Sequence, residues 1–144
     1  MNAVDRLAER TFDSLDEMMR AWAEEAVRIA SAEYGMELDY GPESVVLLDT
    51  VLAARNSVAD DQLENETKLW GGYFGEVFRR RYPADWVMAV YPGGELALPA
   101  LDVDGSLVYP LLKVHRRLTM GPSEDLSGFF ARVAKALDGR PQKK

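Results

Sequence analysis

The carboxylate with the most chemical promise in this sequence is Glu76, which ends the run Gly71-Gly72-Tyr73-Phe74-Gly75-Glu76 and is followed by Arg79, Arg80 and Arg81. On a helix, residues three and four apart share a flank, so Glu76 can meet Arg79 or Arg80. Glycines on the same helix omit the side chains that would keep another group away. Two roles follow for Glu76. It is either a partly buried anchor paired with an arginine or with Lys113, or a general base or ligand contact in a pocket that the glycines open. The anchor carries more weight, because a buried charge without a partner is strongly destabilising. Gly72, Tyr73, Glu76, Arg79, Arg80, Lys113 and Arg116 are therefore the candidate ligand or anchor residues. The arginine run also suits a solvated helix end, where the dipole favours cations. With Lys113, Arg116 and Arg117 it would form an anion-binding patch instead.

Other chemistries find no support. His115 is the only histidine and cysteine is absent. Thiolate catalysis, disulfides, Cys-ligated zinc and two-histidine metal motifs are thereby excluded. Ser106 follows Gly105 but lacks the second glycine of a nucleophile elbow. Asp102-Val103-Asp104-Gly105 echoes a calcium loop, but its glycine comes early and Lys113 stands at the final ligand position, so it reads as a turn. Glycine-rich phosphate loops are missing. Asn65-Glu66-Thr67 has the form of a glycosylation sequon, which a chain without a secretory leader does not use. No catalytic residue, metal ligand or cofactor is assigned.

The 144 residues are 47% hydrophobic and 28% charged, the balance of an ordinary globular domain. Met1 to Phe12 carries Asp5, Arg6, Glu9 and Arg10 in place of an apolar leader, and no apolar run is long enough to span a bilayer. The expectation is a cytoplasmic protein. Its net charge of −7 is unevenly spread: residues 1–78 hold 17 acids and 6 bases, and residues 79–144 hold 7 acids and 11 bases. The two halves either pack with complementary charge or set a basic site on an acidic body.

The elements that must position these residues can be read in order. Ser14-Leu15-Asp16-Glu17 is a capping box. After it Met18, Met19, Trp22, Ala26, Ile29 and Ala30 recur at helical spacing until Gly35. Val4, Leu7, Ala8 and Thr11 suggest a further turn or two upstream. Residues 36–40 read as a short strand or linker. Pro42 suits the first position of a second helix, apolar nearly all round and hence expected to be buried. Residues 56–61 read as a loop.

The third helix, residues 61–82, has Leu63, Thr67, Trp70, Phe74, Val77 and Phe78 on one stripe. A second flank carries Leu69, Gly72, Tyr73 and Glu76. Three interior glycines cost a helix roughly 3 kcal/mol relative to alanine, so close approach by other elements must offset them. The helix is expected to be central, with Gly72 and Gly75 against another element's backbone. Strands follow at residues 85–91, 95–101 and 106–109, linked by Pro92-Gly93-Gly94 and Asp104-Gly105. Pro99 is awkward inside such a meander. Pro110 opens a helix to Met120. Ser123 caps a last one with the stripe Leu126, Phe129, Phe130, Val133 and Leu137. The expected fold is α+β: about five helices and a small antiparallel β-meander, one domain over residues 1–137, with 138–144 a frayed basic tail.

The run Gly72-Tyr73-Phe74-Gly75-Glu76, then Arg79-Arg80, Trp86-Val87, Tyr109-Pro110-Leu111-Leu112-Lys113-Val114, Arg117-Leu118, Gly121 and Phe129-Phe130 resembles uncharacterised bacterial domain-of-unknown-function proteins. These share a G-Y-x-G-E helix and a later P-x-x-K-V-x-x-R-L helix. The likeness covers about residues 44–135. It implies a bacterial cytoplasmic origin and supplies no activity, since none is established for those proteins. Together these readings point to a non-catalytic protein-binding module of adaptor or immunity type, with a protein partner and neither nucleic acid nor membrane. The alternative is a small enzyme or small-molecule-binding protein with its pocket near Gly72 and Glu76.

Overall fold

A computed structural model of the chain describes residues 2–55 and 58–139. It is an α+β fold, with six α-helices and one three-stranded antiparallel sheet among those residues. The helix beyond the expected five is α1 (Ala3–Glu9), whose Asn2 side chain accepts from the amide of Asp5 at 2.8 Å. Ser14 opens α2 (Leu15–Tyr34) by accepting from the Glu17 amide at 3.1 Å, and Gly35 closes it at φ 64. Residues 36–40 are a linker without strand pairing.

The next helix, α3 (Ser44–Ala54), begins two residues after Pro42. Its apolar character overstates its burial. Val45, Leu48, Val51 and Leu52 are buried, whereas Val46 is 58% exposed and Leu47 is also exposed. Asn56 and Ser57 lie outside the described residues. A 3-10 turn at Asp60–Gln62 leads into α4 (Leu63–Arg81). Every residue of α4 from Leu69 to Phe78 is buried, so this helix is central as expected. It packs against α2 on one side and α5 (Pro110–Met120) on another.

Each α4 glycine meets a different neighbour. A Cβ at Gly71 would lie 2.8 Å from the Leu111 Cα of α5. One at Gly72 would lie 3.2 Å from the Met19 carbonyl oxygen and 3.3 Å from the Trp22 Cβ of α2. Backbone contact thus holds for Gly72. At Gly75, however, a Cβ would collide with the Trp86 ring, so a side chain and not a backbone fills that notch. The glycine in closest contact with α5 backbone is Gly71.

The sheet orders as β1 (Asp85–Val90), β2 (Ala97–Val103) and β3 (Ser106–Val108). Pro92 and Gly93 form the first turn, with Gly93 at φ 88 and the Gly94 amide donating to the Tyr91 carbonyl at 2.7 Å. Asp104 and Gly105 both have positive φ, 52 and 91, the geometry of a tight two-residue hairpin. Pro99 is accommodated inside β2. It stands opposite Met88 of β1, but β3 pairs with β2 only from Leu101 onward, so Pro99 has a strand on one side alone.

The last helix, α6 (Leu126–Asp138), is capped by Asp125 and not by Ser123, which falls in a 3-10 turn. Asp125 accepts from the Gly128 amide at 2.7 Å, and this bond holds its carboxyl below the ordinary range. Asp49 of α3 completes the end by accepting from the amides of Leu126 and Ser127 at 2.7 and 2.9 Å. Such caps are worth about 1 kcal/mol each. At the other end Asp138 belongs to the helix, not to a frayed tail, and pairs with Arg81 and Tyr82 at 2.9 Å. Residues 140–144 lie outside the described ones. One hydrophobic cluster joins α2, α3, α4, the sheet, α5 and α6.

Candidate functional site

Glu76 sits in a closed ring of polar contacts that ties three elements together. It is 6% exposed and accepts from the Trp86 indole Nε1 at 2.9 Å and from Arg79 Nη1 at 3.2 Å. Arg79 Nη2 lies 3.8 Å from Asp16 at the start of α2, and Asp16 accepts from the Trp86 backbone N–H at 3.3 Å. Helix α4 contributes Glu76 and Arg79, α2 contributes Asp16, and β1 contributes both nitrogens of Trp86. The indole reaches Glu76 because Gly75 leaves room for its ring. The space opened by the glycines is therefore taken by protein, with α2 against Gly72 and Trp86 against Gly75. Chemically the arrangement is a charge-compensated anchor.

Tyr73 is likewise a strut. Its ring is fully buried, its hydroxyl accepts from the Tyr40 amide at 2.9 Å, and it donates to Ser44 Oγ at 2.7 Å. Ser44 in turn donates to the Gly41 carbonyl at 2.6 Å. These bonds hold the linker before α3 where Tyr40 adopts φ 67, a conformation that costs a non-glycine residue about 1 kcal/mol or more. Arg80 stacks on the Tyr40 ring at 3.7 Å.

Burial pushes the Tyr40 phenol up to about 12 and raises the Tyr73 phenol as well. Both are neutral when folded and titrate nearer 10 when unfolded. Their contribution to stability is full below pH 10 and lost as the pH rises from 10 toward 12. Denaturant unfolding should thus show a steady midpoint from pH 7 to 9 and a fall above 10. Tyr40→Phe should flatten that fall, and an unaltered alkaline limb in this variant would contradict the assignment.

Lys113 and Arg116 do not join Glu76. Lys113, on α5, pairs with Glu124 at 2.5 Å and lies over the Phe129 ring. Its ammonium holds the Glu124 carboxyl below the usual carboxylate range. Arg116 lies over the Tyr91 ring at 5.6 Å, and Tyr91 meets Tyr109 edge-on at 5.0 Å. The basic residues of the second half are thus divided among separate partners: Asp16 and Glu76 for Arg79, Tyr40 for Arg80, Glu124 for Lys113 and Tyr91 for Arg116. Arg117 is buried, and its Nε and Nη1 have no hydrogen-bond partner among the described residues.

Two features escaped the sequence. Glu66, noticed only inside a sequon, is a second buried anchor: it accepts from Arg55 and, at 3.0 Å, from Trp70 Nε1. The signal was its spacing of four from Trp70. The other is a cleft of about 450 Å³ between β3, α5 and α6, which includes Lys113 and Arg116 in its lining. Three of the five α6 stripe residues turn out to be cleft wall at the edge of the core. Leu126 and Phe130 are buried, while Phe129, Val133 and Leu137 are only partly covered and face this cleft. Periodicity reports an apolar face but not whether anything packs on it.

No group of three or more His, Asp or Glu side chains among the described residues is placed to hold a metal ion, and none of their helices is long and apolar enough to cross a membrane. No family model, curated protein or solved structure matches the chain.

Proposed function

We propose that this chain is a non-catalytic protein-binding module that engages a protein partner through the outer part of its β-sheet. One observation carries the reading. The sheet face that is buried at Trp86, Leu101 and Val108 continues outward through Met88 and Val90, opposite Pro99 and Ala97. There nothing covers it: Met88 is 55% exposed, Val90 is 49% exposed and the neighbouring Leu96 is 83% exposed. An apolar strand face left open next to a completed core is characteristic of association surfaces. The interior carboxylates Glu66 and Glu76 are meanwhile consumed in structural pairs, which supports binding over catalysis. No role in nucleic-acid binding is proposed, because Arg79, Arg80, Lys113 and Arg116 each engage a different group.

The test is site-specific photo-crosslinking in the host cell, with the probe at position 88 or, as a control, at exposed Arg20 on α2. Discrete protein adducts at position 88 and not at position 20 are expected. Met88→Asp should remove them while changing unfolding free energy by no more than about 0.5 kcal/mol, as for other surface substitutions. Equal labelling at the two positions would overturn the reading.

A further inference from the structure

The cleft between β3, α5 and α6 is a concavity whose two surfaces ask for opposite things. Its floor is apolar, built by Leu112 of α5 with Phe129, Val133 and Leu137 of α6. Its lining also holds Arg116, Arg132 and the buried Lys113, and no aspartate or glutamate contributes to it. That imbalance runs against the charge of the chain. The chain as a whole carries 24 acids against 17 bases. Two other surface clefts contain arginines, and each brings its own carboxylates: Glu24 and Glu25 beside Arg28 in one, Glu33 and Glu66 beside Arg55 in the other.

The state of these three cations narrows the chemistry. Lys113 is neutralised by Glu124. Arg116 rests over Tyr91 and is in no ion pair among the described residues, and Arg132 is in none either. Elsewhere Arg28, Arg55, Arg79 and Arg81 all have carboxylate partners. Two guanidiniums without a hydrogen-bonded or ion-paired carboxylate among the described residues therefore stand beside half-buried hydrocarbon, with Glu124 acting on both only through space. A guanidinium offers a fork of parallel N–H donors that matches a carboxylate, and a low-dielectric wall beside it strengthens the contact. The volume lies within the range of about 300–1,000 Å³ usual for small-molecule sites, which are mostly apolar with a few convergent polar groups.

We propose that this cleft binds an amphipathic carboxylate, its aliphatic or aromatic body against Leu112, Phe129 and Val133 and its acid group at Arg116 and Arg132. The site is separate from the open sheet face, since Met88 and Val90 do not line it.

The probes are decanoate, decanol and decyltrimethylammonium, each below its micellar concentration and titrated into the full chain with amide NMR shifts as readout. Decanoate should saturate a single site and shift the amides around Leu112, Val133 and Ala136, with decanol at least about tenfold weaker and the ammonium weaker still. Arg116→Gln combined with Arg132→Gln should bring decanoate down to the affinity of decanol and leave decanol unchanged. Ala136→Trp, which fills the cleft from α6, should abolish both, with circular dichroism confirming that each variant is folded. Equal affinity for decanoate and decanol would overturn the proposal, as would a double variant that binds decanoate like the parent. Shifts centred on Met88 and Val90 would overturn it too, by assigning the binding to the sheet face.

Discussion

Glu76→Ala is expected to destabilise the protein by about 3 kcal/mol or more, one of the largest effects of any single polar substitution in this chain. The removed carboxylate is buried and accepts from both Trp86 Nε1 and Arg79. Its loss strands a buried indole N–H, which costs roughly 1–3 kcal/mol. It also takes from Arg79 the closer of its two carboxylates, leaving Asp16 at 3.8 Å. Glu76→Gln separates the contributions. An amide can still accept from the indole but no longer compensates the guanidinium, so this variant should fall between parent and alanine. Denaturant unfolding of the three proteins decides the matter. Were Glu76→Ala as stable as the parent, Glu76 would not be an anchor, and the alternative of a working carboxylate near Gly72 would regain its force.

The second large effect concerns the α4 glycines, where two terms of opposite sign compete. Glycine to alanine in a helix interior gains about 1 kcal/mol from propensity. Against that stands overpacking, typically about 1–3 kcal/mol and sometimes more. At Gly71 a new methyl carbon would lie 2.8 Å from both the Leu111 Cα and its Cγ, so α5 would have to move as a unit. At Gly75 it would occupy the position of the Trp86 ring and push the indole off Glu76. Both alanine variants should be destabilised by roughly 2 kcal/mol net of propensity. Gly75→Ala and Glu76→Ala should then be strongly non-additive, because each breaks the same indole contact. Additive losses in a double-mutant cycle would show that Trp86 does not couple the two positions. At Gly72, where the nearest atoms are 3.2–3.3 Å away, alanine should be tolerated better than at Gly71, whereas leucine should cost about 1–3 kcal/mol.

The elements of this protein were legible because their signals are local. The Ser14 cap, Gly35, the tight Asp104-Gly105 hairpin and Pro110 each act through backbone geometry within a few residues, and each stands where its chemistry places it. The glycines of α4 spoke of close approach by their very cost, and α4 is buried all round from Leu69 to Phe78. At the start of α6, a boundary that shifted, a distant group intervened. Asp49, some 77 residues before Leu126, shares the capping of α6 with Asp125, and no local pattern could reveal it.

The candidate site shows the division more sharply. Composition and spacing marked Glu76 as a carboxylate needing a partner, and they correctly offered Arg79. They could not offer Trp86, because an indole ten residues on reaches it only after the chain has turned from α4 into the sheet. Lys113 and Arg116 were grouped with Glu76 on charge alone. Tertiary packing instead placed them on the side of α5 that faces α6, against Glu124 and Tyr91. Sequence alone determined which residues had to be buried or paired, since desolvation penalises an unpaired charge and an exposed apolar face in any fold. Only the tertiary structure decided which partners met, where the apolar face at Met88 was left open and where Val133 was left half-covered, because that depends on the relative placement of whole elements.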